Sequence, residues 1–272
     1  MARLSINEVT TYRWSFEEDV LNYRAANIDA IGVWRQKLAD FGEDKGADLL
    51  AENGMHVSNL LWAGGFTGSD GHTYRDSLRD AAEAVRLAGA LKADCLVVYT
   101  GGRNGHTQNH ARRLFLGALG ELLPMAAELG VTLAVEPMHQ DCAEDWTFLT
   151  SLEGASDLLA AVDHPRLKLV FDTYQFGSDA DICTQLRSLA NRIAIVHLGD
   201  SRALPEPEQN RLCPGRGNLP LADIVRALTQ GGYDGYYDVE LMGEDIEAAD
   251  YRDIIASSKQ AYDQLVATTA AA

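Results

Sequence analysis

Positive charge is scarce in this sequence. Of 272 residues, 23 are Lys or Arg and 40 are Asp or Glu, which gives a formal net charge of −17. A protein that binds nucleic acid needs a basic face to neutralise phosphates, so this balance argues against DNA or RNA as a partner. It also argues, more weakly, against binding to an anionic membrane surface.

Long apolar runs and paired cysteines are lacking as well. No stretch approaches the roughly 20 apolar residues of a membrane-spanning helix. The N-terminus MARLSINEVT has no basic start followed by an apolar segment, so we expect no signal peptide. Cys95, Cys142, Cys183 and Cys213 are widely spaced and form no CxxC motif, which predicts reduced thiols and a cytoplasmic protein.

Strand-like and helix-like segments alternate along the chain. The predicted strands are Leu4–Val9, Ala30–Trp34, His56–Leu61, Cys95–Thr100, Val131–Glu136, Leu167–Asp172, Ile193–His197 and Tyr236–Glu240. The clearest predicted helices are Tyr74–Ala90, Asn109–Leu129, Ser151–Val162, Asp179–Ala190, Leu221–Gly231 and Glu244–Ala267. Ser15 and Glu18 have the spacing of a capping box, which predicts that the first helix begins there.

This order of elements predicts an α/β fold. Eight βα units without a Pro-, Gly- or Ser-rich linker are typical of one (β/α)8 TIM barrel. We therefore expect a single TIM-barrel domain over residues 1–272, with 267–272 as a frayed tail. An open doubly wound sheet is the alternative, but the sequence lacks the Gly-rich phosphate turn that usually follows its first strand.

Four predicted strands end on a residue that can bind a metal ion: Glu136, Asp172, His197 and Glu240. In a TIM barrel the carboxyl ends of neighbouring strands meet on the face that carries the active site, so these side chains should converge. Without a cation, such groups would repel one another or stay protonated, which favours a metal site over four unrelated residues. Three carboxylates and one imidazole suit Mn²⁺, Mg²⁺ or Co²⁺, with Zn²⁺ less favoured.

Such a site supports proton transfer on a sugar. A divalent ion that binds adjacent carbonyl and hydroxyl oxygens acidifies the neighbouring C–H by stabilising the enediolate. Glu136 and Glu240 would lie on opposite sides of the cluster, so one can remove the proton and the other can return it. Return to the same carbon gives an epimer, return to the next carbon gives an isomer, and loss of a β-hydroxyl gives a dehydration. The residues alone leave these outcomes open.

The sequence around these positions resembles a known family. The motifs are VEPMH at Glu136, FDTYQ at Asp172, VHLGDS at His197, NRLCPGRG at 210–217 and GYDGYYDVELMG at Glu240. Over essentially its whole length the chain resembles the xylose-isomerase-like superfamily of sugar isomerases and epimerases, most closely the ketose 3-epimerase branch. The resemblance implies that the four residues hold one divalent metal, that Glu136 and Glu240 form the acid/base pair, and that Arg211 reaches the substrate.

Two features depart from that family. Its sixth-strand motif, Asp-x-x-His, places a His against the substrate, whereas this chain has Gln175, which keeps a donor and an acceptor but cannot carry a proton charge. A long insert also precedes Arg211, and we interpret it as a lid or as a contact in a homo-oligomer. Both departures predict poor activity on free ketohexoses and better activity on a modified keto sugar, such as a 3-keto-glycoside or a cyclitol ketone.

Three further residues are candidates for substrate contacts. His106 follows the fourth strand at the predicted catalytic rim, where it could touch substrate or order its loop. Trp14 and Trp62 follow the first and third strands, where their rings could stack on a sugar or pack against the rim.

Three hypotheses on function follow. The first is a divalent-metal-dependent isomerase or epimerase of a keto sugar or related polyol, an enzyme of carbohydrate metabolism with a small-molecule substrate. The second is a dehydratase or lyase that uses the same metal site on an inosose-like keto-cyclitol or a 3-keto-glycoside. The third, a DNA-repair endonuclease on the same barrel, needs more His ligands and a basic groove, which 7 His and a charge of −17 do not favour.

Overall fold

The computed structural model describes residues 3–270, which form a closed barrel of eight parallel strands surrounded by helices. The strands are β1 (Arg3–Asn7), β2 (Ala30–Trp34), β3 (His56–Ala63), β4 (Cys95–Val98), β5 (Thr132–Val135), β6 (Leu167–Asp172), β7 (Ile193–Leu198) and β8 (Tyr236–Val239). They follow one another in sequence order, and β8 closes the barrel by pairing with β1. The predicted TIM barrel is confirmed, with every strand end within two residues of its predicted position.

Of the helices in the described residues, the first nine lie between consecutive strands in sequence, and the last two follow β8. These helices are α1 (Phe16–Ala25), α2 (Arg35–Phe41), α3 (Glu43–Glu52), α4 (Tyr74–Leu91), α5 (Gln108–Glu128), α6 (Leu152–Val162), α7 (Thr173–Phe176), α8 (Ile182–Leu189), α9 (Leu221–Gln230), α10 (Glu244–Ala248) and α11 (Tyr251–Ala270). The predicted capping box at α1 is confirmed, since the Ser15 hydroxyl accepts from the Glu18 N–H and the Glu18 carboxylate accepts from the Ser15 N–H. Among the described residues, no helix combines the length and the apolar character needed to cross a membrane.

One helix prediction was wrong: the segment expected as Glu244–Ala267 is two helices. Ala249 is extended, with φ −76° and ψ 165°, which ends α10. The Asp250 carboxylate then accepts from the Arg252 N–H at 2.9 Å and starts a new helix. This second helix, α11, continues to Ala270, so residues 267–270 are helical where the sequence predicted a frayed tail. Residues 271 and 272 lie outside the described residues.

Alternation of side chains along the strands separates two apolar clusters. On β6, Leu169 and Phe171 join the larger cluster, which includes many residues of the surrounding helices. Val170, between them, joins a smaller cluster made mainly of strand residues. The smaller cluster therefore marks the interior of the barrel, and its top is the place where polar side chains can meet.

Candidate active site

The strands direct the four candidate metal ligands into the mouth of the barrel. Asp172 ends β6, His197 lies near the end of β7, and Glu136 and Glu240 directly follow β5 and β8. The residue two positions before each of them points inward or is buried: Ala134, Val170, Ile195 and Asp238. The side chains thus share the inward direction, and one ligand atom from each lies within 4.8 Å of the others. The structure brings together the four residues predicted from the sequence.

Arg211 lies within this acidic group. Its Nη2 is 2.8 Å from Oδ2 of Asp172, and its Nη1 donates to Oε2 of Glu240 at 2.5 Å and to the Glu240 carbonyl at 3.2 Å. The side chain is only 2% exposed. A buried guanidinium is tolerated when it is paired in this way, so Arg211 balances part of the negative charge.

His197 lies between the two glutamates. Its Nδ1 is 3.3 Å from Oε1 of Glu136 and 3.1 Å from Oε2 of Glu240. Neither ring nitrogen of His197 and neither carboxylate oxygen of Glu136 makes a hydrogen bond within the described part of the chain. Buried polar atoms nearly always have a partner, and a divalent cation is a partner that all of these atoms can share. The donor set therefore fits a metal ion.

The charges of the cluster shift its pKa values in opposite directions. Burial raises the pKa of Asp172 to about 6, because it outweighs the attraction of Arg211 and is reinforced by Glu240 and Glu136. Burial acts in the same sense on Glu240, but His197 and Arg211 outweigh it and lower the pKa of Glu240 to about 2. Burial lowers the pKa of His197, but the two glutamates outweigh it and raise that pKa well above its ordinary value. The electrostatic environment of the cluster thus favours the binding of a positively charged partner, either a proton or a cation.

Gln175 is buried and uses both ends of its amide. Its Oε1 accepts from the His139 N–H at 2.9 Å, and its Nε2 donates to Oε1 of Gln209 at 2.9 Å. The same Gln209 oxygen accepts from Nη2 of Arg211 at 3.3 Å. Gln175 is therefore connected to Arg211 through Gln209, a residue that the sequence analysis did not select.

The insert before Arg211, here residues 198–210, lies against this site. The Glu206 N–H donates to the Tyr174 hydroxyl at 3.1 Å, and Sγ of Cys142 donates to the Glu206 carbonyl at 3.1 Å. At its start, the Asp200 carboxylate accepts backbone N–H groups of Ser201, Gly215, Gly217 and Leu219 at 2.8–3.1 Å. The insert therefore packs beside the site, and its roles as a lid and as a contact in a homo-oligomer both stay predictions.

The other three candidates for substrate contacts, His106, Trp14 and Trp62, lie in different parts of the barrel rim. Nε2 of His106 lies 3.2 Å from the Thr67 carbonyl, so His106 connects two loops at the rim. The Trp14 ring packs edge-on against Tyr251 of α11, with ring centroids 5.3 Å apart. Trp62 packs against Tyr99 with centroids 6.0 Å apart, which brings it next to the metal-binding residues.

Tyr99 is a further residue of the site that the sequence did not single out. Burial, and then the carboxylates of Glu136 and Glu240, raise the pKa of its phenol well above its ordinary value. Tyr99 follows β4 on the same face of the barrel as the four ligands. In the sequence Tyr99 falls within the predicted strand Cys95–Thr100, near its carboxyl end, and many residues at strand ends share that signal.

A second polar group supports β8 below Glu240. The carboxylate of Asp238 accepts from Ser5 at 2.5 Å, and from Asn7 and Asn59 at 2.8 Å each. All of these side chains are buried. They connect β1, β3 and β8 inside the barrel and hold the strand that presents Glu240.

The family model described as xylose isomerase-like TIM barrel matches residues 21–261. A D-psicose 3-epimerase of Enterocloster bolteae is 30% identical over 118 residues, 43% of this chain and 36% of that protein. An inosose isomerase of Bacillus velezensis is 26% identical over 153 residues, 54% of this chain and 53% of that protein. The matches therefore span about a third to a half of these relatives.

A solved structure of a protein from Sinorhizobium meliloti 1021 is similar over nearly the whole chain. Its TM-score is 0.88 at 27% identity, covering 96% of this chain and 98% of that one.

Proposed function

This chain belongs to the xylose isomerase-like TIM barrel family, and we propose on that premise that it is a divalent-metal-dependent isomerase or epimerase of a keto sugar or related polyol. The observation that carries the proposal is the buried cluster of Glu136, Asp172, His197 and Glu240, whose ligand atoms lie within 4.8 Å of one another. Relatives named D-psicose 3-epimerase and inosose isomerase support this reaction class.

The four residues of the cluster would hold one Mn²⁺, Mg²⁺ or Co²⁺, with Zn²⁺ less favoured, because three of the four ligands are carboxylates. When bound, the ion supplies Lewis acidity to adjacent carbonyl and hydroxyl oxygens of the sugar. Burial of the ligands keeps water from competing for the same positions.

We assign the proton transfers to Glu136 and Glu240. They follow β5 and β8, and Nδ1 of His197 lies between them, 3.3 Å from one carboxylate and 3.1 Å from the other. One carboxylate removes the proton from the carbon beside the carbonyl, and the other returns a proton from the opposite side. Both oxygens of Glu136 are buried in the mouth of the barrel, and only His197 approaches them as an ion-pair partner among the described residues.

Arg211 would bind a substrate oxygen. Its guanidinium already lies beside Asp172 and Glu240, and a hydroxyl or carbonyl of the sugar can accept from it at the same place. Gln175 supports this role through Gln209. Trp62 would form a wall of the pocket beside Tyr99.

We further propose that residues 1–272 form a single domain and that the protein is cytoplasmic. The closed barrel over the described residues supports the first proposal. The four cysteines, all of them free, support the second.

Incubation with keto sugars in D₂O tests this function. The metal-loaded protein is offered free ketohexoses, a cyclitol ketone and 3-keto-glycosides, and the products are analysed by NMR and mass spectrometry. We expect deuterium at the carbon beside the carbonyl, with no other change in mass. Loss of water or of an aglycone would instead identify a lyase. Absence of exchange with every compound, while the protein holds its metal, would reject both functions.

A further inference from the structure

A cavity of about 600 Å³ opens beside the barrel mouth, between the loops that follow β3 and β4. Trp62, Tyr99 and Trp146 form part of its wall. Sites for small molecules are concave and lined by aromatic side chains with a few polar groups, and a cavity of this size has room for more than one sugar ring. None of the four metal-binding residues lines it, so it lies beside the reacting position.

The aromatic wall belongs to a longer series of rings, the aromatic track, which consists of Tyr99, Trp146, Trp62, Trp34 and Tyr12. Trp62 contacts Trp146 and Tyr99 edge-on, at 5.5 Å and 6.0 Å between centroids. Trp62 also stacks with Trp34 at 6.2 Å, and Trp34 stacks with Tyr12 at 5.9 Å. The series starts at Tyr99, beside Glu136, and leads outward from the mouth.

Two members of the aromatic track are exposed, one near each end of the series. Tyr12 is 55% exposed and Trp146 is 38% exposed. Leaving large aromatic rings in water forgoes the free energy of burying them, and a continuous exposed apolar patch usually marks a binding surface. A ligand that covers these rings would recover part of that free energy.

The other residues that line the cavity are mostly polar, and the charged ones are mainly acidic. They include Asp70, Asp76, Asp80, Glu83 and Asp145, with Arg35, Arg79 and His72 as the basic residues. Arg35 pairs with both carboxylate oxygens of Asp80 at 2.9 Å, and Arg79 pairs with Asp76 at 2.8 Å, so both guanidinium groups are neutralised. These residues therefore repel phosphate, while their carboxylates can accept hydrogen bonds from hydroxyl groups.

Indole rings and carboxylate acceptors in one cavity match a sugar ring. The C–H face of a pyranose is apolar and its hydroxyls point outward from the edge, so it can lie on indole rings and donate to carboxylates together. Arg35 connects the two groups of residues, because it pairs with Asp80 and its Nη1 also donates to the Trp62 carbonyl at 3.0 Å.

We propose that the substrate carries a second, neutral sugar ring, and that Trp62 and Trp146 of the aromatic track bind this ring in the cavity. The proposal rests on the proposed function, because it places the reacting ring at the metal-binding cluster. Tyr99 lines the cavity and also lies beside Glu136, so one molecule can occupy both places. The substrate class is then a disaccharide-like glycoside with a keto group on one ring.

Tryptophan fluorescence gives a binding test that needs no turnover. The chain has 4 tryptophans, and Trp34, Trp62 and Trp146 belong to the aromatic track. The metal-loaded protein is titrated with cellobiose, maltose and trehalose, and with glucose and methyl glucoside as single-ring controls. We expect a saturable change in emission, with at least one disaccharide binding about tenfold more tightly than either single-ring compound.

Two variants assign the response to the cavity. Trp146→Ala should weaken binding of that disaccharide about tenfold. Leu129→Ala should leave its affinity unchanged, because this exposed apolar side chain lies at the end of α5, outside the aromatic track. Equal affinity for one and two rings, or unaltered binding by Trp146→Ala, would overturn the proposal. Binding of aryl glycosides but of no disaccharide would overturn the assignment to a sugar ring.

A negative result in the fluorescence test can be distinguished from a negative result in the D₂O exchange, because each experiment tests a different proposal. Disaccharide binding that depends on Trp146, without proton exchange on any keto sugar, would support the aromatic track and reject the proposed chemistry. Exchange on keto sugars with no preference for two rings would support the chemistry and reject the aromatic track as a subsite.

Discussion

Nε2 of Gln175 donates a hydrogen bond to Oε1 of Gln209 at 2.9 Å, and that same oxygen accepts from Arg211. The family resemblance places a His at position 175, in contact with the substrate. Here the amide is engaged by the His139 backbone and by Gln209. We therefore infer that Gln175 positions Arg211 through Gln209, a role that requires no charge.

Removing either glutamine should loosen Arg211 and have nearly the same effect as removing both. We expect Gln175→Ala and Gln209→Ala each to raise KM and to lower kcat/KM about fivefold, with a coupling free energy of about 1 kcal/mol in the double variant. Metal content should not change. Gln264→Ala, an exposed glutamine on α11, is the matched control. Additive effects of the two substitutions would contradict this connection.

Asp172→Ala and His197→Ala should bind metal poorly. Each removes one of four ligands from a buried cluster, so the affinity should fall at least about 100-fold. Elemental analysis after dialysis checks this, and we expect about one divalent ion per chain in the parent protein. Asp179→Ala, an exposed carboxylate beyond α7, should retain its metal. If both cluster variants hold metal as well as the parent, the assignment of ligands is wrong.

Glu136→Gln and Glu240→Gln should abolish turnover even where metal remains. Gln keeps the shape of the side chain but cannot transfer a proton, so kcat should fall about 1,000-fold in each variant. An active Glu240→Gln enzyme would reject the scheme with two bases.

Arg211→Ala should separate substrate binding from metal binding. We expect normal metal content and a raised KM, because the guanidinium would donate to a substrate oxygen and is not a ligand. Arg202→Ala is the control, since this exposed arginine of the same insert donates to the Arg216 carbonyl outside the cluster. Loss of metal in Arg211→Ala would contradict the proposed division of roles.

A buried ion pair away from the metal-binding cluster predicts how stability changes with pH. Nζ of Lys37 lies 2.6 Å from Oδ2 of Asp19, and both side chains are buried. Burial outweighs the attraction of Lys37 and raises the pKa of Asp19 to about 6, from an ordinary value of 3.8. The folded protein therefore holds the proton of Asp19 more tightly than the unfolded chain does.

The free energy of unfolding should accordingly fall as the pH rises from about 4 to about 6, with Asp19 contributing up to about 3 kcal/mol of the change. Burial also raises the pKa of Glu8, and Asp19 reinforces this shift, so Glu8 acts in the same direction. Urea denaturation across this pH range should show that the free energy of unfolding changes less with pH in Asp19→Asn than in the parent protein. The exposed Asp48→Asn should match the parent protein, and an unchanged slope in Asp19→Asn would contradict the assignment.

Substrate preference can be measured directly. We expect kcat/KM to be higher for 3-keto-glycosides or a cyclitol ketone than for free ketohexoses or their phosphates. Efficient turnover of a plain ketohexose, unchanged or improved by Gln175→His, would show that neither Gln175 nor the insert restricts the substrate.

Local pattern in the sequence was enough to predict the barrel and its metal-binding residues. A β-branched run fixes both the strand and, because side chains alternate, the direction of the residue that follows it. The four ligands therefore could be identified one strand at a time, from Glu136 to Glu240. The start of α1 at Ser15 could also be predicted from local sequence, since both members of its capping box lie within one helical turn.

Only the tertiary structure decided how distant segments meet around those ligands. Closure of the barrel brings Ser5 and Asn7 to Asp238, more than 230 residues away in sequence, and no periodicity encodes that contact. Loop conformation places Arg211 between Asp172 and Glu240. The aromatic track gathers rings that lie in or follow five different strands, and each ring alone resembles an ordinary rim residue. The direction in which a side chain points from a strand is set by the neighbouring residues in the sequence. These contacts depend instead on the closure of the barrel and on how its loops pack together.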